Sequence, residues 1–155
     1  GYCIGGGMGL AVACDIRLCE DKSRFAIPAA KLGLGYGYEG IRRLANLVGP
    51  AMVKEIFFTA RQFSASEAQE MGLVNRVLPP HMLAPYVDDY AKRISENAPM
   101  TMESVKAIVQ AIQDDESARD LDALDAMVKA CFASQDYIEG RRAFMEKRKP
   151  NFTGS

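Results

Sequence analysis

One histidine, His81, stands in a chain of 155 residues. A histidine-based metal site or a Ser-His-Asp triad therefore has little to build on. The four cysteines, Cys3, Cys14, Cys19 and Cys131, show no C-x-x-C spacing. They lie in apolar or strand-like stretches and read as reduced packing residues, with no metal expected. No apolar run approaches the roughly 20 residues that span a bilayer. No charged-then-apolar secretory start opens at Gly1. Neither sign of charge is in excess: 19 Lys and Arg face 20 Asp and Glu, a formal net charge of −1. That balance gives no footprint for nucleic acid. Internal repeats and low-complexity segments are absent. What remains is the composition of one soluble globular domain, 48% hydrophobic and 25% charged, expected in the cytoplasm with no membrane or nucleic-acid partner.

Against those absences, glycine is concentrated at the very start. The first fifteen residues read GYCIGGGMGLAVACD. Tyr2, Cys3 and Ile4 suit the tail of a buried strand, and residues 8–14 suit about two turns of a small, Ala-rich helix. Between them stand Gly5, Gly6 and Gly7. A strand that enters a helix through consecutive glycines leaves backbone N–H groups open to a negatively charged atom, and the helix dipole adds to the attraction. This is how an oxyanion hole or a phosphate cradle is built. It is equally how a helix packs tightly on a sheet, and the glycines alone leave both readings open.

Further along, residues 15–20 alternate as a half-buried strand does, and residues 24–27 begin another. Asp15 reads as a structural carboxylate tied to backbone or to an arginine. Pro28 stops the strand, and residues 28–40 read as a loop able to line a pocket, with Gly33, Gly35, Gly37 and Gly40 around Tyr36 and Tyr38. A short helix over 41–48 ends at Gly49-Pro50, and a second covers 51–59. Ser64-Ala-Ser-Glu67 has capping-box spacing, and the helix it opens stops at Gly72. A strand over 73–78 closes at Pro79-Pro80. Beyond it only helical signals remain, over 82–97, 99–114, 118–133 and 137–149. The third carries Leu121, Leu124, Met127, Val128 and Cys131 at helical spacing, a stripe for a core or an interface. Residues 151–155 read as a loose end.

Five segments in order carry a resemblance: GGG-x-x-LA-x-ACD, FAIPAAKLGLGYGYEG with RRLANLVGP, ARQFSASEAQEMGLVNRV and EGRRAFMEKRKPNFTG. Together they resemble the enoyl-CoA hydratase/isomerase family, the crotonases, from the first residue to the last. The resemblance implies an α/β fold: the later part of a ββα spiral over residues 1–80, then a helical domain over 81–155 for assembly and closure of the ligand pocket. It implies that the first half of the spiral precedes Gly1, so the chain reads as the second part of a longer protein. It implies an acyl-CoA thioester as ligand, CoA entering only as part of the substrate and no separate cofactor. It implies a homo-oligomer, a trimer or a dimer of trimers.

The resemblance also assigns residues. The N–H of Gly6 is one of two donors that hold the thioester oxygen, flanked by Gly5 and Gly7. The second donor belongs to the preceding half. Phe144 and Lys147 match positions that approach the adenine and phosphates of CoA. Hydratases of the family carry two glutamates, at the positions held here by Gly9 and Ala29. Neither residue can transfer a proton. The expected reaction is therefore enoyl-CoA-hydratase-like, with hydration itself in question and isomerisation, decarboxylation or C–C cleavage as alternatives. A non-catalytic binding or assembly subunit is the other reading. The carboxylate left near the pocket is Glu39. Desolvated between glycine and tyrosine it would serve as the acid, whereas exposed or paired with Arg42 or Arg43 it would not. Tyr36 and Tyr38 are candidates for hydrogen bonds to substrate.

Overall fold

In the computed structural model, which describes residues 1–155, the glycine turn joins a three-residue strand to a helix. Strand β1 is Tyr2–Ile4 and helix α1 is Gly6–Ala13. Strands β2 (Leu18–Glu20), β3 (Arg24–Ala26), β4 (Phe63–Ser64) and β5 (Arg76–Leu78) follow. β3 lies between β1, parallel to it, and β4, antiparallel to it. β2 and β5 pair in parallel as a second small sheet. Helix α2 (Tyr38–Thr59) and helix α3 (Ala65–Glu70) pack beside these strands. Met8 from α1, Phe25 from β3, Leu44 and Ile56 from α2, Phe63 from β4 and Leu73 meet in one core, each almost fully buried. Removing that much apolar surface from water is what holds such short strands in register. The chain divides into two compact units, Gly1–Val87 and Asp88–Ser155.

Several local readings shift in the first unit. The loop expected over 28–40 is in part regular: Pro28–Leu32 forms a 3-10 turn, and α2 already begins at Tyr38. The two helices expected over 41–48 and 51–59 run on as α2, with a sharp break at Gly49 (φ 79°, ψ 159°) ahead of Pro50. Proline lacks the N–H that would continue the ladder, and glycine tolerates the positive φ. The strand expected from residue 15 starts only at Leu18. The Arg17 N–H donates to Asn75 Oδ1 and the Asn75 N–H to the Arg17 carbonyl, each at 2.8 Å. The Arg17 side chain donates to the carbonyls of Leu73 and Cys14 at 2.6 and 2.5 Å. Burial pulls its pKa below the usual arginine range, opposed by the neighbouring Cys14 and Asp15. Leu73 and Val74, expected in a strand, instead donate their N–H groups to the Ala68 carbonyl. Cys14 is exposed at the end of α1 rather than packed.

The capping box at α3 forms as the sequence implies. The Glu67 N–H donates to Ser64 Oγ at 3.2 Å, and the Ser64 N–H donates to Glu67 Oε2 at 2.8 Å. Arg61 bridges Glu67 at 2.7 Å and Glu55 at 3.0 Å and lies 3.7 Å over the Phe63 ring.

Helix α4 (Pro80–Ser95) leads into the second unit, which holds α5 (Pro99–Gln113), α6 (Leu121–Ala133) and α7 (Gln135–Glu146). Ala143 is its one buried apolar residue. The residues 151–155, expected to be loose, are tied down. Asp136, buried, accepts from the N–H groups of Thr153 and Gly154 at 2.7 and 2.9 Å. The Asn151 N–H donates to Glu139, whose carboxylate Arg148 grips with two bonds of 2.6 and 2.9 Å. Helix α7 stops three residues before the expected end, because Lys147 turns into the left-handed region (φ 54°).

Candidate active site

The site is built on the turn between β1 and α1. Gly5 takes φ 57° and ψ −116°, a backbone conformation that L side chains rarely adopt. Its own N–H is committed to the Ala26 carbonyl at 2.9 Å, which fixes the turn to the end of β3. Gly6, Gly7 and Met8 then open α1. The N–H groups of a first helical turn have no acceptor four residues earlier within the helix, and no side chain caps them here. A Cβ placed on Gly5, Gly6 or Gly7 would meet no atom within 4 Å. The turn is thus open to a ligand, while Met8 behind it is locked into the core at 1% exposure. An uncapped backbone N–H at a helix start, with the helix dipole behind it, is suited to stabilise a developing negative charge.

Around that turn the expected residues divide. Gly9 lies one helical turn below Gly5, its N–H donating to the Gly5 carbonyl at 3.1 Å. A Cβ on Gly9 would stand 3.7 Å from Tyr36 Oη, so the fold does bring Tyr36 and the α1 turn together. Ala29 is buried, and its carbonyl accepts from the N–H groups of Gly33 and Leu34. Tyr38, by contrast, is 72% exposed.

Glu39 is corrected here. Its carboxylate accepts from Arg42 at 3.0 Å and its side chain is 63% exposed. The expectation of an acid held away from water between glycine and tyrosine is not met. Glu39 lies in the first turn of α2, where a carboxylate complements the helix dipole and an i,i+3 partner. Cys3, on the strand that feeds the turn, has its thiol pushed up by burial, as has Cys19; both are packing groups rather than nucleophiles.

In the second unit, Phe144 lines an apolar groove of about 560 Å³ with Val105, Val128, Phe132 and Phe152. Lys147 stands at the left-handed cap of α7. Gly40 is the residue that sequence reasoning missed. It looks like one more loop glycine, yet it faces the Tyr36 ring so closely that a Cβ would lie 2.8 Å from Cε1.

The whole chain, residues 1–155, matches the sequence model of the enoyl-CoA hydratase/isomerase family. The chain belongs to that family. It is 41% identical over 154 residues to a crotonyl-CoA hydratase of Syntrophomonas wolfei, a match covering 98% of this chain and 58% of that protein. It is 38% identical over 139 residues to a short-chain-enoyl-CoA hydratase of Clostridioides difficile, covering 90% of each. A crystal structure of an enoyl-CoA hydratase/carnithine racemase from Magnetospirillum magneticum superposes with a TM-score of 0.90 at 34% identity, over 100% of this chain and 57% of that one. Against the first of these relatives and that structure, this family member spans about three fifths of the partner's length. The crotonase-like α/β architecture implied by the sequence is thereby shown.

Proposed function

We propose that this family member supplies the thioester-carbonyl end of an acyl-CoA enzyme. The Gly6 N–H, with the open turn around it, holds the oxygen of a CoA thioester as it becomes an enolate. A second donor comes from elsewhere in the protein. The observation that carries the reading is the open glycine turn: Gly5 held at φ 57° by its bond to Ala26, with empty space over Gly6 and Gly7. One such donor is worth about 2.7–4 kcal/mol of barrier where it has been removed by mutation. Gly5, Gly7, Gly9, Ala29 and Tyr36 line the acyl end. Phe144 and Lys147 serve the CoA end, an aromatic face for the base and a cation for phosphate. Exposed Leu121, Phe132 and Met145 suit burial between copies of the chain in a homo-oligomer.

The two sequence relatives named above are called hydratases, yet the proton-transfer positions at Gly9 and Ala29 hold no acids here, and Glu39 is held at the surface by Arg42. The chemistry supported is therefore enolate chemistry other than ordinary two-glutamate hydration. A binding or assembly role is the second reading, favoured by the same two positions.

Calorimetry of the complete protein with butyryl-CoA and an absorbance assay with crotonyl-CoA test this together. Binding is expected, with hydration slower than in a two-glutamate enzyme by at least the 10²–10⁴-fold that one acid–base group contributes. Fast hydration would place acids elsewhere. Failure to bind would favour assembly.

A further inference from the structure

Tyr36 is a polar side chain that the fold brings to helix α1, beside Gly9. Its ring is half-buried against the core and meets Phe57 edge-on, with centroids 5.0 Å apart and an interplanar angle of 71°. On the α2 side there is room for the ring only because residue 40 is glycine, since a Cβ there would lie 2.8 Å from Cε1. The hydroxyl ends 3.7 Å from the Cβ position of Gly9, an ordinary van der Waals distance. Helical Cβ atoms tilt toward the N-terminus, so that position lies on the glycine-turn side of Gly9. The phenol thus reaches α1 beside Gly9, whose N–H donates to the Gly5 carbonyl one helical turn from the start of the helix. Phe57 and Gly40 both contribute to that placement. The two positions that the family resemblance would fill with carboxylates are Gly9 and Ala29, which cannot move a proton.

We propose that Tyr36 Oη is the proton-transfer group of this site, delivering a proton to the α-carbon of the enolate held at Gly6. The inference rests on the thioester reading above. In the step, the phenol O–H bond breaks as the enolate carbon–carbon double-bond pair forms the new C–H bond. The thioester carbonyl re-forms, and the negative charge passes from the oxyanion to the phenolate, which takes a proton from water. In the reverse direction the phenolate removes the α-proton. Water is the only other reactant.

Deuterium uptake at the α-carbon of butyryl-CoA in heavy water, followed by mass spectrometry in the complete protein, tests this beside calorimetric affinity for the same thioester. Tyr36→Phe keeps the ring against Phe57 and Gly40. It should cut exchange by about 10²–10⁴-fold, the usual range for general acid–base catalysis, and leave the Kd within about twofold, since the expected loss lies in proton transfer rather than binding. Gly40→Ala, which keeps helical backbone and hydroxyl but displaces the ring, should also lower exchange and so reads the same role should Tyr36→Phe fold poorly. Exchange unchanged in Tyr36→Phe would overturn the proposal. Binding without any exchange in the unaltered protein would overturn it too, while leaving the thioester reading intact. Absence of binding would sink that reading, and this proposal with it.

Discussion

Gly5 and Gly7 sit two residues apart and do different work. Gly5 holds φ 57° and ψ −116°, so a side chain there forces strain on the turn. Gly7 is helical with open space around it. Gly5→Ala is expected to lower stability by about 1–3 kcal/mol, whereas Gly7→Ala should be neutral or stabilising by up to about 1 kcal/mol through helix propensity. Urea unfolding of both variants measures the contrast; equal losses would mean that the turn conformation is not what constrains residue 5. At Glu39 the expected result is a near-silent substitution. Its exposed pair with Arg42 is of the kind worth about 0–1 kcal/mol, and Glu39→Gln should leave turnover within about twofold because no proton step runs through it. A hundredfold loss would restore the carboxylate to the chemistry. At this scale the glycine turn was legible in the sequence, because consecutive glycines between an apolar strand and an Ala-rich helix constrain the backbone locally. The Tyr36–Gly40–Gly9 contact was not, since residues 9 and 36 meet only through the packing of α1 on α2.

Among the elements, α3 shows how a local signal becomes a measurable electrostatic one. Glu67 is held down at about 2, first by the Ser64 N–H, then by Arg61 and the Ser64 hydroxyl. A carboxylate whose folded pKa lies below its ordinary value of 4.5 stabilises the fold above that value, and its contribution is lost as pH falls toward 2. The stability gap between the unaltered protein and Glu67→Gln should accordingly be full near pH 6 and shrink from about pH 4.5 downward, read as urea midpoints across the range. A gap independent of pH would assign the effect to shape rather than charge. The C-terminal residues behave differently from their composition. Short and polar, they read as loose, but a buried Asp136 some 17 residues earlier takes the N–H of Thr153, a pairing no local pattern reveals. Asp136→Ala should speed hydrogen exchange at Thr153 and Gly154 and cost about 1–3 kcal/mol for the unpaired groups. Unchanged protection there would refute the tether.

Taken whole, the chain was legible to different depths in its two units. Strand and helix order in Gly1–Val87 followed from period, proline and glycine, and boundaries moved where side chains such as Arg17 and Asn75 captured backbone groups. In Asp88–Ser155 the helices were plain from their periodicity. The stripe on α6 suits a core or an interface: Leu124, Met127, Val128 and Cys131 are half-buried, while Leu121 remains 68% exposed. The family resemblance gave the fold; the acid–base apparatus did not follow from it, because Gly9 and Ala29 depart from the pattern and Glu39 is taken up by an exposed i,i+3 pair with Arg42. The central claim is that the glycine turn binds a thioester oxygen. Calorimetric titration of the complete protein with butyryl-CoA and with the S-butyl thioether of CoA isolates that oxygen, since the two ligands differ only in the carbonyl. The account predicts that the thioester binds about tenfold more tightly, near 1.4 kcal/mol, the worth of a good net hydrogen bond. Equal affinity for the two ligands would contradict it.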